Sequence, residues 1–197
     1  MTNIIPQNPN ALFEEWFREA QKSEPNDPSA MAVSLIDAEG KPSVRIVLMR
    51  KYGEKGFEFF TNYESRKGKG LEKNPYAELC FYWKSLHKQI RITGRVEKTS
   101  AAESDDYFNN RPRGSRVGAW ASQQSRPMEG YEELQGRMDE FEAKFEGMEA
   151  IPRPPHWGGF RVIPERIEFW EEQPFRLHKR FVYIKQGNTW KTEWLYP

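Results

Sequence analysis

The chain has 197 residues, 37% of them hydrophobic and 30% charged, with a formal net charge of +1 at pH 7. This length suffices for one domain with a sizeable core, and no Gly/Ser-rich linker or internal repeat divides it, so we expect a single domain over residues 1–197 in which residues 1–9 form a mobile N-terminal segment. The nearly neutral charge argues against a strongly basic nucleic-acid-binding protein and directs attention to one basic stretch, residues 41–69, as the place for a phosphate group.

An amphipathic helix is predicted near the N-terminus. Asn8 and Pro9 supply an N-cap and a proline at the first helical position, and apolar residues then recur at helical spacing from Leu12 to Ala20. We expect the apolar face of this helix to pack on the body of the protein.

Two strands are predicted next, over residues 30–37 and 44–50. Residues 38–41 have the composition of a tight turn, so the two strands should form a hairpin. Because apolar residues occupy both faces of the second strand, we expect that strand to be covered on each side.

A strand over residues 57–62 leads into a basic helix start. Ser65 is a candidate N-cap, and Arg66 and Lys67 follow it directly. A helix N-terminus combines free backbone N–H groups with the positive end of the helix dipole, which suits a phosphate. Taken alone, the same residues also fit a capped turn that faces solvent, so this segment is a candidate phosphate site that other residues must support.

The middle of the chain continues the sheet. Pro75 ends the basic helix, and strands over residues 76–83 and 89–96 follow. About five antiparallel strands in sequence predict a closed or nearly closed barrel. Further strands are predicted within residues 157–183 and 190–196.

Three more helices are predicted. Residues 100–110 open with a capping box of Ser100 and Glu103, and residues 117–124 are helical again. The apolar positions of residues 131–148 advance by four and three, which is typical of a helix that faces a core or an interface, while its acidic residues form the solvated face.

Tyr107, Arg111 and Ser115 fall within one short, turned segment. A guanidinium fork with two hydroxyls is a credible set of ligands for a phosphate. This segment is therefore a second candidate anion site.

Three polar residues near the C-terminus, Arg176, His178 and Arg180, are two positions apart. An extended backbone would point all three to the same side. Taken alone they fit a solvated surface, but Trp170 and Phe181 make the neighbourhood apolar, and charges among aromatics are costly to bury without a partner. We therefore expect an anionic or aromatic ligand here.

Cysteine, membrane and metal signals are weak. Cys80 is the only cysteine, which excludes an internal disulfide and suggests a buried thiol. No N-terminal apolar run resembles a signal peptide, and no stretch approaches the roughly 18 apolar residues of a membrane span, so we expect a soluble, cytoplasmic protein without a membrane partner. The histidines are far apart in sequence, so no metal site is predicted.

In their order and spacing, these segments resemble the pyridoxamine 5'-phosphate oxidase family. The resemblance covers roughly residue 10 to the C-terminus. The matching motifs lie at residues 45–50, 61–62 with 65–67, 107–108 with 111–115, 118–122 with 124–125, and 167–170 with 176–180. No single motif is decisive, but their combination is specific.

The resemblance implies a mainly β, α+β fold: an antiparallel FMN-binding split β-barrel with peripheral helices. It also implies a homodimer with FMN at the subunit interface. The implied reaction is oxidation of pyridoxamine or pyridoxine 5'-phosphate to pyridoxal 5'-phosphate, with O₂ as electron acceptor and H₂O₂ as product.

The resemblance further implies which residues form the site. The implied flavin positions are Arg45, Ile46, Val47, Leu48, Met49, Arg50, Phe60, Thr61, Arg66, Lys67, Gln89, Gln124, Ser125, Trp170 and Arg180. The implied substrate positions are Arg50, Tyr107, Arg111, Ser115, Arg176, Leu177 and His178. Arg176 and His178 are the expected catalytic residues, which position the substrate ring. Two phosphates require two cationic groups, and the chain offers Arg45, Arg66 and Lys67 for one and Arg50 and Arg111 for the other.

Two features depart from the family. Arg50 stands where the family usually has a lysine, which keeps the charge but changes its reach. Residues 1–9 also lack the Arg and Tyr that the family often carries in an N-terminal lid.

Two alternatives remain open at this stage. One is a flavoprotein of the same fold that acts on a different substrate or reduces its substrate. The other is a small barrel that stacks single-stranded nucleic acid on its aromatic residues.

Overall fold

The computed structural model describes residues 6–197, and within this range one antiparallel sheet of eight strands is accompanied by five α-helices. The helices are α1 (Pro9–Ser23), α2 (Arg66–Lys73), α3 (Ala101–Asn109), α4 (Arg113–Ala121) and α5 (Tyr131–Lys144). The strands are β1 (Ala30–Ile36), β2 (Pro42–Leu48), β3 (Phe57–Asn62), β4 (Tyr76–Trp83), β5 (Lys88–Lys98), β6 (Trp157–Glu171), β7 (Lys179–Gln186) and β8 (Thr189–Leu195). Two short 3₁₀ turns, Lys84–Leu86 and Pro174–Arg176, precede β5 and β7.

The segment predicted to be mobile, residues 1–9, lies partly outside the described residues, since nothing before Pro6 is described. Its last two residues begin α1, where the Asn8 side chain accepts a hydrogen bond from the backbone N–H of Asn10 at 2.9 Å. The carbonyl oxygen of Pro6 accepts a hydrogen bond from the Tyr183 hydroxyl at 2.8 Å. The predicted N-cap is thus confirmed.

The sheet closes on itself. Its strands follow the order β2-β1-β4-β5-β6-β7-β8, and β3 pairs with the first half of β6. Just beyond β2, the N–H of Arg50 donates to the carbonyl oxygen of Glu58 in β3, and the N–H of Glu58 donates to the carbonyl oxygen of Lys51, both at 2.8 Å. Six strands therefore form a ring, while β7 and β8 continue outwards from the second half of β6. This arrangement confirms the predicted antiparallel barrel with peripheral helices.

Helix α1 contributes its apolar stripe to the main core. Phe13 is fully buried, with its ring centroid 4.8 Å from that of Phe57 and 5.5 Å from that of Phe81. Trp16 and Phe17 are buried beside it. Removing such a side chain from water stabilises a fold by about 1.5–3 kcal/mol, so this helix is an integral part of the barrel.

A smaller apolar cluster lies where α3, α4 and the start of β6 meet. Its buried residues are Phe108, Val117, Ala119, Phe145, Ile151 and Trp157. Helix α5 ends at Lys144, earlier than predicted, so Met148 lies beyond the helix and is 44% exposed. Of the predicted apolar stripe, Met138 and Phe141 are partly buried against this cluster, and Phe145, just past the helix, is buried in it.

The expectation that β2 is covered on both faces is wrong for the single chain. Val44 and Ile46 are 67% and 66% exposed. The reason is that no other element within residues 6–197 packs over the outward face of this strand.

Candidate active site

A cavity of about 900 Å³ opens beside the outward face of β2. Elements that are distant in sequence form its wall: β2, β3, the start of α2, the α3–α4 region, the loop after α4 and the first residue of β6. The predicted positions that line it are Arg45, Ile46, Val47, Leu48, Arg50, Phe60, Thr61, Arg66, Lys67, Tyr107, Arg111, Ser115, Gln124 and Ser125. Both candidate phosphate segments therefore face one cavity.

Lys67 is the buried cation of this site. It is 9% exposed, and its Nζ donates to Thr61 Oγ1 at 2.9 Å, Ser65 Oγ at 3.2 Å and Gln124 Oε1 at 2.8 Å. Burial, and secondarily the positive charge of Arg45, lower the pKa of Lys67 to about 8. Because its partners are neutral oxygens, the ammonium group keeps its charge for an anion.

Ser65 explains why Lys67 sits where it does. As the N-cap of α2, its hydroxyl accepts a hydrogen bond from the N–H of Gly68, as the sequence predicted. The cap starts the helix at Arg66, so that the first helical turn presents Arg66 and Lys67 to the cavity. The positive end of the helix dipole adds to these two charges.

The two arginines beside Lys67 differ in their partners. The Arg45 guanidinium donates to the carbonyl oxygens of Val33 and Ser43 at 3.3 Å, and burial together with the charge of Arg66 lowers the pKa of Arg45. Arg66 instead donates to Asp37 Oδ2 from Nη2 at 2.6 Å and from Nε at 3.2 Å.

Asp37 is the counter-charge of this cationic group. Its side chain is fully buried, and the hydrogen bond from Arg66 is the main reason that the pKa of Asp37 lies below its ordinary value. Three positive side chains and one negative one leave a net charge of two positive units. This balance suits a phosphate group, which carries about −1.5 to −2 charges near neutral pH.

The loop after α4 closes this end of the cavity. Gln124 Oε1 accepts hydrogen bonds from both Lys67 and Thr61, the latter at 2.9 Å. The next residue, Ser125, has φ +70°, a left-handed conformation that is uncommon outside glycine. Such backbone strain persists where surrounding contacts impose it, often at functional sites.

The other end of the cavity is aromatic. The Phe60 and Tyr107 rings stack with centroids 4.0 Å apart, and Trp157 is parallel to Tyr107 within 6°. The Arg111 guanidinium lies over the Trp157 ring, with Cζ 4.6 Å from the ring centroid. Burial lowers the pKa of Arg111, and its Nη1 is buried without a hydrogen-bond partner. An unpaired buried donor on a cation marks a place for an anion.

Arg50 supplies a second charge at this aromatic end. It lines the same cavity as Arg111, and its positive charge contributes, after burial, to the lowered pKa of Arg111. No salt bridge of Arg50 or Arg111 occurs within residues 6–197. Both predicted sets of cationic residues therefore line one cavity.

Several predicted residues lie outside this cavity. Gln89 faces Trp170 across β5 and β6, and Trp170 faces Arg180 across β6 and β7, so these three form a row across the sheet. Arg176 and Leu177 are exposed next to this row, in the loop before β7. In one chain, the implied site is therefore divided into two groups. The cavity group consists of the predicted residues that line the cavity. The C-terminal group consists of Gln89, Trp170, Arg176, Leu177, His178 and Arg180.

The prediction that Arg176, His178 and Arg180 share one strand face is wrong. Arg176 belongs to the turn Pro174–Arg176 and has φ +62°, and β7 begins only at Lys179. Pro174 is the physical reason, since proline cannot donate a ladder hydrogen bond and favours a turn.

The members of the triplet consequently have different surroundings. The His178 ring centroid lies 4.6 Å from that of Trp170, and its Nδ1 accepts a hydrogen bond from the N–H of Gln173 at 3.2 Å. The Arg180 guanidinium donates to Glu168 Oε1 at 2.8 Å. Arg176 forms no side-chain hydrogen bond or salt bridge in the described part of the chain.

Met49 is also placed differently from the expectation. It is 4% exposed and belongs to the main core, whereas its neighbours Leu48 and Arg50 line the cavity. Its side chain therefore packs inside the barrel and does not form part of the cavity wall.

Trp157 and Asp37 are site residues that sequence reasoning missed. No local pattern in the sequence marks Trp157, which only the folded chain brings to the cavity. Asp37 was read only as the end of a strand. Only the folded chain shows that Asp37 pairs with Arg66, because no local sequence pattern indicates that contact.

Neither a metal cluster nor a membrane-spanning helix is found in the described part of the chain. Between Pro6 and the C-terminus, no group of three or more His, Cys, Asp or Glu side chains is arranged to hold a metal ion. None of the helices in that same range combines the length and apolar character that a membrane crossing needs.

Two protein-family models match the chain. Residues 17–145 match the model described as pyridoxamine 5'-phosphate oxidase. Residues 157–197 match the model described as the pyridoxine 5'-phosphate oxidase C-terminal dimerisation region. The cavity group lies almost wholly in the first match, and much of the C-terminal group lies in the second.

Curated relatives and a solved structure are similar to this chain over nearly its whole length. Pyridoxine/pyridoxamine 5'-phosphate oxidases from Rhodospirillum rubrum and Gluconobacter oxydans are each 52% identical to this chain, covering 100% and 98% of it and 100% and 96% of their own lengths. PhzG from Burkholderia lata 383, solved with tetrahydrophenazine-1-carboxylic acid, is 30% identical with a TM-score of 0.90 over 99% of this chain and 95% of its own.

A more distant structure shows the fold alone. A pyridoxamine 5'-phosphate oxidase-related, FMN-binding protein from Nostoc punctiforme is 15% identical, with a TM-score of 0.76 over 99% of each chain. From the family-model match, the identity to oxidases over nearly the whole sequence and the split-barrel architecture together, the chain belongs to the pyridoxamine 5'-phosphate oxidase family of oxidoreductases.

Proposed function

We propose that this enzyme uses FMN to oxidise pyridoxamine 5'-phosphate or pyridoxine 5'-phosphate to pyridoxal 5'-phosphate, with O₂ as the electron acceptor. The observation that carries the proposal is the presence of two separate cationic groups in one cavity, each with charge left over for an anion. FMN and the substrate each bring one phosphate, so the reaction needs two such groups.

The group around Lys67 fits the phosphate of FMN. Lys67 and Arg45 have only neutral partners, and Arg66 is held in place by Asp37. Bound FMN would supply the redox chemistry, taking a hydride from the substrate C4' carbon and passing two electrons to O₂ to give H₂O₂.

The aromatic end of the cavity fits the substrate phosphate. Arg111 and Arg50 provide the charge, and the hydroxyl groups of Tyr107 and Ser115 line the same region. Holding the phosphate at this end fixes the distance from the substrate ring to the rest of the cavity. The chain thereby contributes binding and orientation, which are the protein's main share in flavin catalysis.

We infer a homodimer in which the C-terminal group of one protomer completes the cavity of its partner. The match of residues 157–197 to a dimerisation region supports this inference. Exposed apolar side chains in both groups also support it. These are Val44 and Ile46 beside the cavity, and Phe175 and Leu177 near the C-terminal group. Such exposed apolar residues favour a protein interface.

In this dimer Arg176 and His178 position the substrate ring. Arg176 is free of a carboxylate partner in the described chain, so its planar cation is available to lie over an aromatic ring. His178 is held by Gln173 and Trp170, which orients its other ring nitrogen. The substrate loses a hydride from C4' and a proton from its amine or hydroxyl; for the amine, water then releases ammonia and leaves the aldehyde.

The visible spectrum tests this function. The purified protein, as isolated or after addition of FMN and removal of the unbound flavin, is expected to show flavin absorbance that pyridoxamine 5'-phosphate bleaches without oxygen and that O₂ restores. A protein that is colourless once the unbound flavin has been removed would remove the proposal.

A second candidate is a flavoprotein of this fold with a different substrate. The specific observation in its favour is the 30% identity to PhzG, whose bound molecule carries a carboxylate that a guanidinium such as Arg111 also suits. A yellow protein that pyridoxamine 5'-phosphate fails to bleach would favour this candidate.

A further inference from the structure

The position of Arg111 depends on an aromatic ring rather than on a carboxylate. Its guanidinium carbon lies 4.6 Å from the Trp157 ring centroid and 5.8 Å from that of Phe108. Its Nη1 is buried and unpartnered, and it takes part in no salt bridge within residues 6–197. The ring is therefore the main contact that orients this cation.

Trp157 is itself firmly held. It is 7% exposed, its backbone pairs with Asn62 at the start of β6, and its ring stacks at 5.7 Å on Phe60. Phe108 packs on it edge-on at 5.2 Å. These contacts make the indole face a rigid surface.

Other arginines of this protein are held by carboxylates. Arg66 pairs with Asp37, and Arg161 pairs with Glu58, Glu97 and Glu103. A carboxylate orients an arginine but also offsets its charge. An aromatic face attracts the cation through the ring quadrupole and leaves the net charge in place.

We propose that Trp157 is a positioning residue that holds the Arg111 guanidinium over its indole ring with the positive charge uncompensated, so that Arg111 binds the phosphate of the substrate. This inference rests on the proposed function and deepens it, since it assigns a new residue to the substrate end of the cavity. Trp157 acts through Arg111. Substitution of Trp157 should therefore weaken binding of the substrate phosphate without weakening the binding of FMN.

A graded pair of variants at position 157 tests the proposal. Trp157→Phe keeps an aromatic face with a weaker quadrupole, and Trp157→Leu removes that face. We expect the KM for pyridoxamine 5'-phosphate and the inhibition constant for inorganic phosphate to rise about 3-fold in Trp157→Phe and about 10- to 30-fold in Trp157→Leu. The dissociation constant of FMN, measured by quenching of flavin fluorescence, should change by less than about 2-fold in both.

Trp120→Leu is the matched control. Trp120 belongs to the neighbouring part of the same cluster, stacks on Phe141 and lies beneath the Lys144 ammonium, but does not line the cavity. If a general loss of packing were the cause, this variant would raise the phosphate inhibition constant as much as Trp157→Leu, and the proposal would be overturned.

A double-mutant cycle keeps the test valid if Trp157→Leu fails to fold. In an Arg111→Met background, Trp157→Phe should have no further effect on phosphate inhibition, because the residue it positions is absent. Additive effects of the two changes would overturn the proposal. Failure of the wild-type enzyme to bind FMN or to be bleached would instead count against the proposed function.

Discussion

The two cationic ends of the cavity are built on different physical principles. At the Lys67 end, hydrogen bonds to hydroxyl, amide and carbonyl oxygens hold the cations, and Asp37 offsets part of their charge. At the Arg111 end, stacked rings hold the cation and nothing in the described chain offsets it. A site whose cations are all hydrogen-bonded to the protein suits a cofactor that stays bound. A site with an unpaired donor suits a substrate that must enter and leave, because the substrate accepts that hydrogen bond when it binds.

The largest effect that separates the two ends is expected from Lys67→Ala. Removing a buried cation from the FMN phosphate should raise the dissociation constant of FMN by about 100-fold, because a hydrogen bond to a charged group contributes up to about 3 kcal/mol. Riboflavin, which lacks the phosphate, should bind equally well to the variant and the wild type. Titration of the apoprotein with both flavins measures this difference.

Lys69→Ala is the control for that variant, since Lys69 is an exposed lysine of the same helix. It should leave both dissociation constants unchanged. Equal losses of FMN and riboflavin binding in Lys67→Ala would show a role in folding rather than in holding a phosphate.

Arg176→Ala should have the opposite profile. We expect kcat/KM for pyridoxamine 5'-phosphate to fall by about 30- to 100-fold, because a positioned cation over the reacting ring is lost. The dissociation constant of FMN should change by less than about 3-fold. Steady-state kinetics at saturating FMN provide the measurement, and a variant that loses FMN and turnover in equal proportion contradicts the separation of roles.

The pH dependence of FMN binding should single out the Lys67 end. The pKa of Lys67 is lowered to about 8 in the folded apoprotein. Below this pH the ammonium is charged and available to the phosphate, and above it the proton must be taken up on binding. The dissociation constant of FMN should therefore rise by up to about tenfold per pH unit above about 8.

The free energy of unfolding of the apoprotein should also depend on the titration of Lys67, but it should increase with pH where FMN affinity decreases. Because the folded-state pKa is lower than the unfolded one, the unfolded chain binds more protons between about 8 and 10.5, so this residue's contribution to stability rises with pH across that window. Lys67→Arg, which stays charged, should remove the pH dependence from both measurements. A wild-type FMN affinity that is flat from pH 7 to pH 10 would contradict the assignment.

The smallest effect is expected from Asp37→Asn. With the carboxylate gone, Arg66 keeps its charge but loses its orientation, so FMN binding should weaken by only about 3- to 10-fold. Because the folded-state pKa of Asp37 is lowered, its stabilising contribution is present above the ordinary carboxyl pKa and is lost as pH falls through the folded value.

Thermal melting of wild type and Asp37→Asn between pH 3 and pH 7 measures that contribution. The difference between the two melting temperatures should be largest near pH 7 and should begin to shrink as pH falls below the ordinary carboxyl pKa. The Asp27→Asn variant offers a comparison, since Asp27 accepts hydrogen bonds from Ser29 and lies outside the cavity. If FMN binds as weakly to Asp27→Asn as to Asp37→Asn, Asp37 has no specific role in orienting Arg66 for FMN.

Local patterns determined much of this protein. The caps at Asn8 and Ser65, the box of Ser100 and Glu103, and the hairpin of β1 and β2 all follow from side chains that bond to nearby backbone or alternate along a strand. The family motifs then indicated which residues form the site. These features are readable because the interactions behind them span only a few positions.

Tertiary structure decided the rest. The pairing of β3 with β6, the salt bridge of Asp37 with Arg66 and the contact of Arg111 with the Trp157 ring each join segments far apart in the chain. It also showed that one chain alone leaves the C-terminal group away from the cavity. Sequence periodicity does not show which distant side chains come into contact, because those contacts depend on how whole helices and strands pack. The partners of the charged site residues were therefore visible only in the folded molecule.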